Sequence, residues 1–283
     1  MEKITSYLGS MGKLYIVSTP IGNLEDITLR ALRVLKEVDL IAAEDTRRTK
    51  KLLTHFEITT KITSYFEHNK FSKIDKILEN LQLGDVALVS DSGMPTISDP
   101  GYRIVNASLE LGYEVVCIPG ASAVLAAVAV SGLPTDAFIY LGFLPRKTLD
   151  RKRTLHNNAT DTRTLIFFES PHRLLDCLID VQRELGDRHI VVAREMTKIH
   201  EEIYRGNVID AITHFEQGLI RGECTVVVSG NISLEHEKWQ ADRVLLHLND
   251  AIHTGQTLSS ASREIAKKSG WTRQEVYGLK LDK

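Results

Sequence analysis

The sequence predicts an α/β protein of two domains followed by a small helical tail. Its 283 residues are enough for about two domains of ~150 residues each. Strand-like apolar runs alternate with helical segments five times before residue 131, and such alternation is typical of a parallel sheet covered on both faces. Beyond residue 164 two strand-like runs follow each other without an intervening helix, which indicates antiparallel pairing in a second, mixed sheet.

The first domain is expected over residues 12–140 and contains a mostly parallel five-stranded sheet. Its strands are predicted at residues 14–18, 39–43, 61–66, 85–89 and 114–118. A helix follows each strand, at residues 28–38, 47–56, 71–83, 102–111 and 121–130. The fifth helix consists of small and branched apolar residues almost all round, so we expect it to be buried.

A linker is expected near residues 135–145, before a mixed α/β domain over residues 144–230. Strands of this domain are predicted at residues 164–168, 190–193, 202–205 and 224–229, and helices at residues 172–185 and 208–215. In the tail, residues 240–283, helices at 259–269 and 273–281 flank a turn at Gly270. This spacing fits a nucleic-acid-binding helix-turn-helix, but it fits an ordinary helical hairpin as well.

Composition excludes several classes of protein. Lys and Arg total 35 against 37 Asp and Glu, for a net charge of −2, which excludes a polybasic nucleic-acid-coating protein and an acidic disordered one. The three cysteines are too far apart for a zinc site or a disulfide framework, and they fit a reducing cytoplasm. Residues 121–130 are about half as long as a membrane span, and no secretory signal is visible.

The turns that follow the predicted strands indicate a binding site. In an open α/β sheet, ligands bind outside the carboxyl ends of the strands. Four such turns are rich in Gly, Pro, Ser or Asp, at residues 18–23, 90–101, 119–123 and 169–173. The sequence lacks GxGxxG, GxxxxGK[ST], GxSxG and HExxH, which disfavours dinucleotide, triphosphate, common hydrolase and zinc-protease sites. A neutral or zwitterionic small ligand fits these turns best.

Four motifs in order give the chain a specific resemblance. They are LYIVSTPIGNLEDIT at residues 14–28, AAEDTRRT at 42–49, VSDSGMPTISDPG at 89–101 and FFESPHR at 167–173. Between about residues 12 and 230 the chain resembles the ribosomal-RNA-modifying branch of the tetrapyrrole-methylase-like superfamily. The resemblance implies two α/β domains with S-adenosylmethionine in the cleft between them. It also implies methyl transfer to the ribose 2′-hydroxyl of a cytidine in 16S rRNA of the small ribosomal subunit, near the decoding centre, by a homodimer in the cytoplasm.

Two departures separate the chain from the wider superfamily. The GxGPGD turn is replaced by residues 18–23, STPIGN, and Met94 stands where the GGDP motif has its acid. Both agree with the ribosomal branch. Carried over position by position, the resemblance implies these cofactor-binding residues: Pro20, Asp91, Ser92, Gly93, Met94, Ile97, Ser122, Ala123, Phe168, Met196 and Thr225. Structural alternatives stay open, since Met94 could fill a gap, Phe168 could be core, and Asp91 and Asp99 could cap turns.

A ribose hydroxyl is a poor nucleophile while it is protonated, so a general base is expected. Candidates are Glu44, Asp45, His68, Glu169 and Glu195. We favour Asp45, which ends a strand and precedes two arginines that could hold a phosphate, and Glu169, which ends a strand on the cleft side, although either could instead be paired with a neighbouring arginine. RNA binding needs cations, although a charged run is usually a solvated face. The predicted RNA-binding residues are Arg47, Arg48, Arg146, Lys147, Arg151, Lys152, Arg153 and Lys198.

Two other functions remain open. One is a precorrin-type C-methyltransferase that acts on a tetrapyrrole, which the missing GPGD turn and the basic run at residues 146–153 disfavour. The other is a non-catalytic RNA-binding protein that uses its tail, which would have no need of four Gly- and Pro-rich turns along one sheet edge.

Overall fold

Two five-stranded sheets and a group of terminal helices form the molecule. A computed structural model describes residues 12–65, 70–231 and 239–279. The strand order is β3-β2-β4-β1-β5 in the first sheet and β6-β7-β10-β8-β9 in the second. The predicted fold class, two α/β domains with one parallel and one mixed sheet, is confirmed.

The first sheet is wholly parallel. Its strands are β1 (Lys13–Val17), β2 (Leu40–Ala43), β3 (Ile62–Ser64), β4 (Val86–Val89) and β5 (Glu114–Ile118). Every residue of β2 and β4 is buried, as expected for strands covered on both faces. Because the strands are parallel, their carboxyl ends and the turns that follow lie at one edge.

Helices cover both faces of this sheet. They are α1 (Leu29–Glu37), α2 (Thr46–His55), α3 (Lys70–Leu83) and α4 (Tyr102–Glu110). A fifth helix, α5 (Ala123–Ser131), follows β5 and packs against the second sheet. On one face Leu35 of α1 and Leu53 of α2 belong to one apolar cluster, and on the other Leu81 of α3 and Ile104 of α4 belong to another. Each cluster contains side chains from the strands, so burial on both faces holds the sheet and its helices together.

The prediction that the fifth helix is buried holds for one of its sides only. Val124, Ala127 and Val128 of α5 are buried in a cluster that includes strand residues of the second sheet. On the opposite side Leu125 is 59% exposed and Val130 is 39% exposed. The helix therefore packs against the second sheet with one side and leaves an apolar side on the surface.

The second sheet is mixed. Its strands are β6 (Phe138–Phe143), β7 (Thr164–Glu169), β8 (His189–Arg194), β9 (Glu202–Asn207) and β10 (Cys224–Val228). Strands β8 and β9 pair antiparallel, as predicted, and β10 lies antiparallel between β7 and β8. Only β6 and β7 are parallel within this sheet as described.

The predicted linker at residues 135–145 is wrong, because β6 occupies most of it. The run FIYLGF is rich in aromatic and branched residues and pairs with β7 along the sheet edge. The linker was predicted because Gly142 and Pro145 are residue types that usually interrupt helices and strands. Gly142 has φ 66°, and the register with β7 shifts between Tyr140 and Phe143, so the glycine serves a strand irregularity and not a linker. The second sheet thus begins before residue 144.

The second sheet is covered by α6 (Thr148–Asn157), α7 (Leu174–Leu185) and α8 (Val208–Glu216). The tail consists of α9 (Ala241–His253), α10 (Leu258–Ser269) and α11 (Arg273–Tyr277), which share a small core of their own. Gly270 ends α10 in the left-handed conformation, as the predicted turn requires. Helices α6 and α9 were absent from the prediction. Within the described ranges, no helix is long and apolar enough to cross a membrane.

Candidate active site

The turns after β1, β4 and β5 are bound to one another at the carboxyl edge of the first sheet. The amide of Thr19 donates to the carbonyl of Gly93 (2.9 Å), and the amide of Gly93 donates back to Thr19 (3.0 Å). The hydroxyl of Ser18 donates to the carbonyl of Ala121 (2.7 Å). These bonds bring together three of the four predicted turns and fix the wall of a cleft.

The second sheet closes the other side of this cleft. The amide of Asn23 donates to Oγ1 of Thr197 (3.0 Å), in the turn after β8. A Cβ on Gly22 would lie 2.5 Å from Cγ of Lys198, so only glycine allows this approach. On the far side, the hydroxyls of Ser98 and Tyr140 are 2.7 Å apart. Both ends of the cleft are therefore anchored by contacts between the two halves of the molecule.

The cleft contains a cavity of about 270 Å³ that we call the apolar cavity. Its lining comes from both sheets: Ile21, Ser92, Gly93, Met94, Ile97, Ser98, Asp99, Ser122, Ala123, Val124, Phe143, Phe168, Glu169, Ser170, Pro171, Gly222, Glu223, Cys224 and Thr225. Aromatic and aliphatic walls with a few convergent polar groups are typical of a small-molecule site.

A second cavity of similar size, about 270 Å³, adjoins the first, and we call it the basic cavity. It is lined by Thr19, Pro20, Ile21, Gly22, Leu24, Arg48, Thr49, Lys51, Leu52, Ser90, Asp91, Ser92, Lys198 and Glu223. Ile21, Ser92 and Glu223 line both cavities. The two spaces therefore share a wall. Three carboxylates and no Lys or Arg line the apolar cavity, whereas three cations and two carboxylates, Asp91 and Glu223, line the basic one.

The apolar cavity contains most of the predicted cofactor residues. Ser92, Gly93, Met94, Ile97, Ser122, Ala123, Phe168 and Thr225 all line it. Pro20 and Asp91 line the basic cavity instead. Met196 lines neither, because its side chain is buried in the cluster around Val124 and Val128.

Several lining residues were missed by the sequence reasoning. Phe143 lay in the presumed linker, and Gly222, Glu223 and Cys224 come just before and at the start of β10. The apolar run at residues 138–143 was the available signal for Phe143. No sequence signal places residues 222–224 in the cleft, because their position depends on β10 lying between β7 and β8.

The apolar cavity fits S-adenosylmethionine chemically. The N-terminus of α5 reaches it at Ser122 and Ala123, where free backbone amides suit a carboxylate. The carboxylates of Asp99, Glu169 and Glu223 suit the cofactor's ammonium and sulfonium charges. The apolar walls suit the adenine and the methylene groups.

Gly93 lines this space in a left-handed backbone conformation. Its φ is 79°, a conformation that favours glycine, and an added Cβ would lie 3.4 Å from Cγ2 of Ile21. A larger residue at this position would be strained by the positive φ, although a Cβ would make only an ordinary contact with Ile21. The glycine therefore keeps the loop after β4 close to the sheet edge.

The two favoured base candidates are both held by arginines. Asp45 caps α2, and hydrogen bonds from the Arg47 side chain and backbone lower its pKa to about 2. Glu169 is 2% exposed and accepts from the amide of Ser170 (2.7 Å) and Nη2 of Arg173 (3.1 Å). Asp45 lies outside both cavity linings and its low pKa makes it a poor proton acceptor. Glu169 lines the apolar cavity, but its carboxylate is committed to Arg173.

The remaining candidates differ in environment. Burial raises the pKa of Glu44, whose Oε2 accepts from the amide of Asp91 (3.3 Å). For Glu195, burial acts to raise the pKa, but hydrogen bonds from Lys198 and the Glu223 amide outweigh it and lower the pKa. His68 lies outside the described residues. Neither Glu44 nor Glu195 lines the apolar cavity, so the described candidates supply no free base there.

The first group of predicted RNA-binding residues borders the basic cavity. Arg48 lines it, with a side chain that is 63% exposed and lies 3.6 Å from Asp91. Lys198 also lines it, paired with Glu195 (2.8 Å) and Glu223 (3.1 Å). Arg47 is exposed beside it and paired with Asp45 (2.7 Å). Partly exposed cations at a cavity mouth can bind phosphate.

The second group of predicted RNA-binding residues, at positions 146–153, contains both exposed and buried side chains. Arg146, Lys147 and Arg153 are exposed. The prediction for Arg151 is wrong, because its side chain is 5% exposed and bound to Asp180 on α7 (Nη2 to Oδ2, 2.6 Å). Lys152 is partly exposed and lies 3.5 Å from the same carboxylate. Arg151 is therefore a buried structural cation, out of reach of an RNA phosphate.

Comparisons with known proteins give the family. A family model described as tetrapyrrole (corrin/porphyrin) methylases matches residues 13–211. A protein of Halalkalibacterium halodurans named ribosomal RNA small subunit methyltransferase I is 45% identical over 272 residues, covering 95% of this chain and 94% of the relative. Its namesake in Thermotoga maritima is 54% identical over 221 residues, covering 78% and 99%.

Solved structures agree on the fold. A cobalt precorrin-4 methyltransferase of cobalamin biosynthesis has a TM-score of 0.59 at 19% identity, covering 77% of this chain and 94% of the other. A uroporphyrin III C-methyltransferase from Thermus thermophilus has a TM-score of 0.55 at 19% identity, covering 78% and 99%. At such identities the likeness concerns the fold alone. By sequence and fold, the chain belongs to the tetrapyrrole methylase family, in its ribosomal RNA small subunit methyltransferase I group.

Proposed function

We propose that the chain is an S-adenosylmethionine-dependent methyltransferase that modifies ribosomal RNA of the small subunit. One observation carries the proposal: an apolar cavity with carboxylates shares a wall with a cavity bordered by Arg48, Lys51 and Lys198. A cationic cofactor suits the first and an anionic RNA chain suits the second. The family assignment supports the same substrate class.

The finer target is the ribose 2′-hydroxyl of a cytidine near the decoding centre of 16S rRNA. The choice of this target rests on the resemblance of the four motifs to the ribosomal branch of the family. The cations of the basic cavity are compatible with an RNA substrate. When bound, the cofactor supplies an electrophilic methyl group. Ser122 and Ala123 would hold its carboxylate, and the walls at Met94 and Phe168 would exclude water. Holding both reactants in line can contribute ~7–11 kcal/mol to catalysis.

The cations of the basic cavity position the RNA. Arg48 and Lys51 come from α2, and Lys198 comes from the turn after β8. Both halves of the molecule would therefore contact the same stretch of the RNA backbone. Contacts to phosphate give affinity and register without reading sequence. Selection of one cytidine would therefore depend on the shape of the small subunit around it.

The protein's other proposed properties concern assembly and location. We infer that two copies form a homodimer, for which the exposed apolar side of α5 offers a surface. Sedimentation would then give about twice the 31.7 kDa chain mass. A ribosomal substrate implies action in the cytoplasm.

The decisive experiment is nucleoside analysis of the product. Small subunits that lack the modification are incubated with the protein and labelled S-adenosylmethionine, and the 16S rRNA is digested and analysed by mass spectrometry. We expect labelled 2′-O-methylcytidine. Label on a base, or on a tetrapyrrole acceptor such as uroporphyrinogen offered in parallel, would contradict the proposed reaction.

A further inference from the structure

We propose that the basic cavity is a nucleoside pocket, which buries the base of the RNA nucleotide to be methylated and offers it the Thr49 hydroxyl as a hydrogen-bonding partner. The inference rests on the proposed function and deepens it, because it assigns a ligand to the interior of a cavity whose cations contact the RNA backbone. Thr49 lies on α2, lines this cavity and was not among the predicted site residues.

The lining of the basic cavity changes from charged at the surface to uncharged inside. Its charged residues are exposed, as Arg48, Lys51 and Glu223 are, or half-buried, as Asp91 and Lys198 are. The lining residues that are buried are all uncharged: Thr19, Ile21, Thr49, Leu52 and Ser90. A phosphate stays at the exposed cations, because burying its charge among neutral groups is costly. The interior therefore suits an uncharged group attached to a phosphate, which is what a nucleobase is.

The apolar part of the lining can contact such a base from two elements. Leu52 lies on α2 and is buried, whereas Leu24 follows the turn after β1 and is 37% exposed. A base that leaves its stack in the RNA loses contacts with neighbouring bases, and apolar side chains in a pocket replace them. These two leucines therefore offer the contacts that a buried base needs.

The position of the cavity fits the geometry of the reaction. Ile21, Ser92 and Glu223 form the wall that it shares with the apolar cavity. The ribose hydroxyl has to meet the cofactor's methyl group at this wall, and the base attached to the same ribose then lies in the basic cavity. With about 270 Å³, the basic cavity is as large as the one that suits the whole cofactor, so a phosphate alone would fill little of it.

The hydroxyl of Thr49 is without a partner in this interior. Thr49 is 4% exposed and its amide donates to the carbonyl of Asp45 (3.0 Å), but its hydroxyl makes no hydrogen bond to any residue of the described ranges. The neighbouring hydroxyls are bonded, Thr19 to the carbonyl of Ser90 (3.2 Å) and Ser90 to the carbonyl of Gly93 (3.2 Å). Buried polar groups are normally hydrogen-bonded. A nucleobase carries donors and acceptors on its edge and supplies the missing partner.

The test compares two small probes, cytidine 5′-monophosphate and ribose 5-phosphate, which share the sugar and the phosphate and differ in the base. The full chain is saturated with S-adenosylhomocysteine, the demethylated cofactor, so that the apolar cavity is filled, and probe binding is followed by methyl NMR. We expect the cytidine monophosphate to bind about tenfold more tightly than the ribose phosphate. It should also shift the methyl signals of Ile21, Thr49 and Leu52.

Thr49→Val removes the hydroxyl and nearly keeps the shape of the side chain. It should lower the affinity for cytidine monophosphate by about threefold to tenfold and leave that for ribose 5-phosphate unchanged, since one hydrogen bond to the base is lost. Thr49→Ser, which keeps a hydroxyl, should recover most of the affinity. Thr54→Val is the matched control, because Thr54 is exposed on the same helix, donates to the carbonyl of Lys50 (2.8 Å) and lines neither cavity.

Two further measurements keep the inference testable. If Thr49→Val does not fold, Leu24→Ala changes a partly exposed side chain and should also weaken the cytidine monophosphate more than the ribose phosphate. In filter binding of small subunits, Thr49→Val should lower the affinity without changing the salt-dependence slope, because a contact to a base releases no counterions. A phosphate contact would lower that slope.

The contrary outcomes are distinct. Equal affinities of wild type for the two probes, or a preference for the base that survives both Thr49→Val and Leu24→Ala, overturn the nucleoside pocket. If wild type methylates small subunits in spite of such a result, the proposed function stands and this inference alone falls. If wild type transfers no methyl group to small subunits, the proposed function falls, and a base-dependent affinity would then still support a nucleotide pocket.

Discussion

Two runs of basic residues look alike in the sequence and differ in the structure. The first, residues 47–51, lies on α2, and Arg48 and Lys51 face the basic cavity. The second, residues 146–153, leads into α6, and none of its cations lines either cavity. At its centre Arg151 is buried against Asp180, whereas Arg48 remains 63% exposed.

The difference teaches that the partner of a cation decides its role. In the first run, Arg47 and Arg48 lie beside Asp45 and Asp91 at the cleft, partly exposed and open to exchange for phosphate. In the second, the ion pair is inside the second half of the molecule and contributes to its packing. One run is therefore suited to binding, and the other is divided between structure and surface.

The largest effect that tests this comparison should come from Arg151→Ala. The substitution leaves Asp180 buried, with Lys152, at 3.5 Å, as its remaining ion-pair partner among the described residues. Removing one partner of a buried ion pair typically costs about 3–5 kcal/mol. We expect the free energy of unfolding, measured by urea denaturation with circular dichroism, to fall by that amount.

A double variant separates a lost ion pair from simple loss of volume. Arg151→Met together with Asp180→Leu removes both charges and keeps apolar bulk, so most of the stability should return. If the double variant is as unstable as Arg151→Ala, packing and not charge holds α6 against α7. If Arg151→Ala is as stable as wild type and binds subunits more weakly, the residue belongs with the RNA-binding group.

A smaller effect is expected from Arg48→Ala. Loss of a phosphate contact should weaken binding to the small subunit by about threefold to tenfold and lower the salt-dependence slope by about 1. Folding stability should change little, because the side chain is exposed and its carboxylate partner lies 3.6 Å away. Filter binding over a series of salt concentrations measures both quantities.

Arg146→Ala is the matched control for Arg48→Ala. Arg146 is an exposed arginine of the second run that lines neither cavity. Arg146→Ala should change the affinity for the small subunit by about twofold or less, which is a smaller effect than that of Arg48→Ala. Equal losses in the two variants would show that RNA extends across both runs and would remove the distinction between them.

The periodic features of the fold could be predicted from the sequence. Strand–helix alternation identified the parallel sheet, and the absence of a helix between residues 194 and 202 identified the β8–β9 pair. The turn rule placed Ser92 and Ala123 at the site, because the ends of parallel strands meet at one edge. These features depend on local pattern and on one topological rule.

Features that depend on contacts between residues far apart in the sequence could not be predicted from the sequence. Arg151 differs from its neighbours only because Asp180, 29 residues later, faces it inside the protein. The strand β6 was missed because Gly142 and Pro145, at its end, are residues that usually indicate a turn or loop. Asp99 looked like a turn cap, whereas burial, and next the charge of Glu44, which is far away in the sequence, raise its pKa to about 7.

The central claim is that the apolar cavity binds S-adenosylmethionine, and calorimetric titration of Ala123→Trp tests it most directly. Ala123 begins α5 and lines this cavity, so an indole there would fill the space. Ala241→Trp, at the exposed first position of α9, is the matched control. We predict that wild type and Ala241→Trp bind the cofactor alike, whereas Ala123→Trp loses at least about tenfold in affinity, or ~1.4 kcal/mol. Undiminished binding by folded Ala123→Trp would contradict the account and place the cofactor elsewhere.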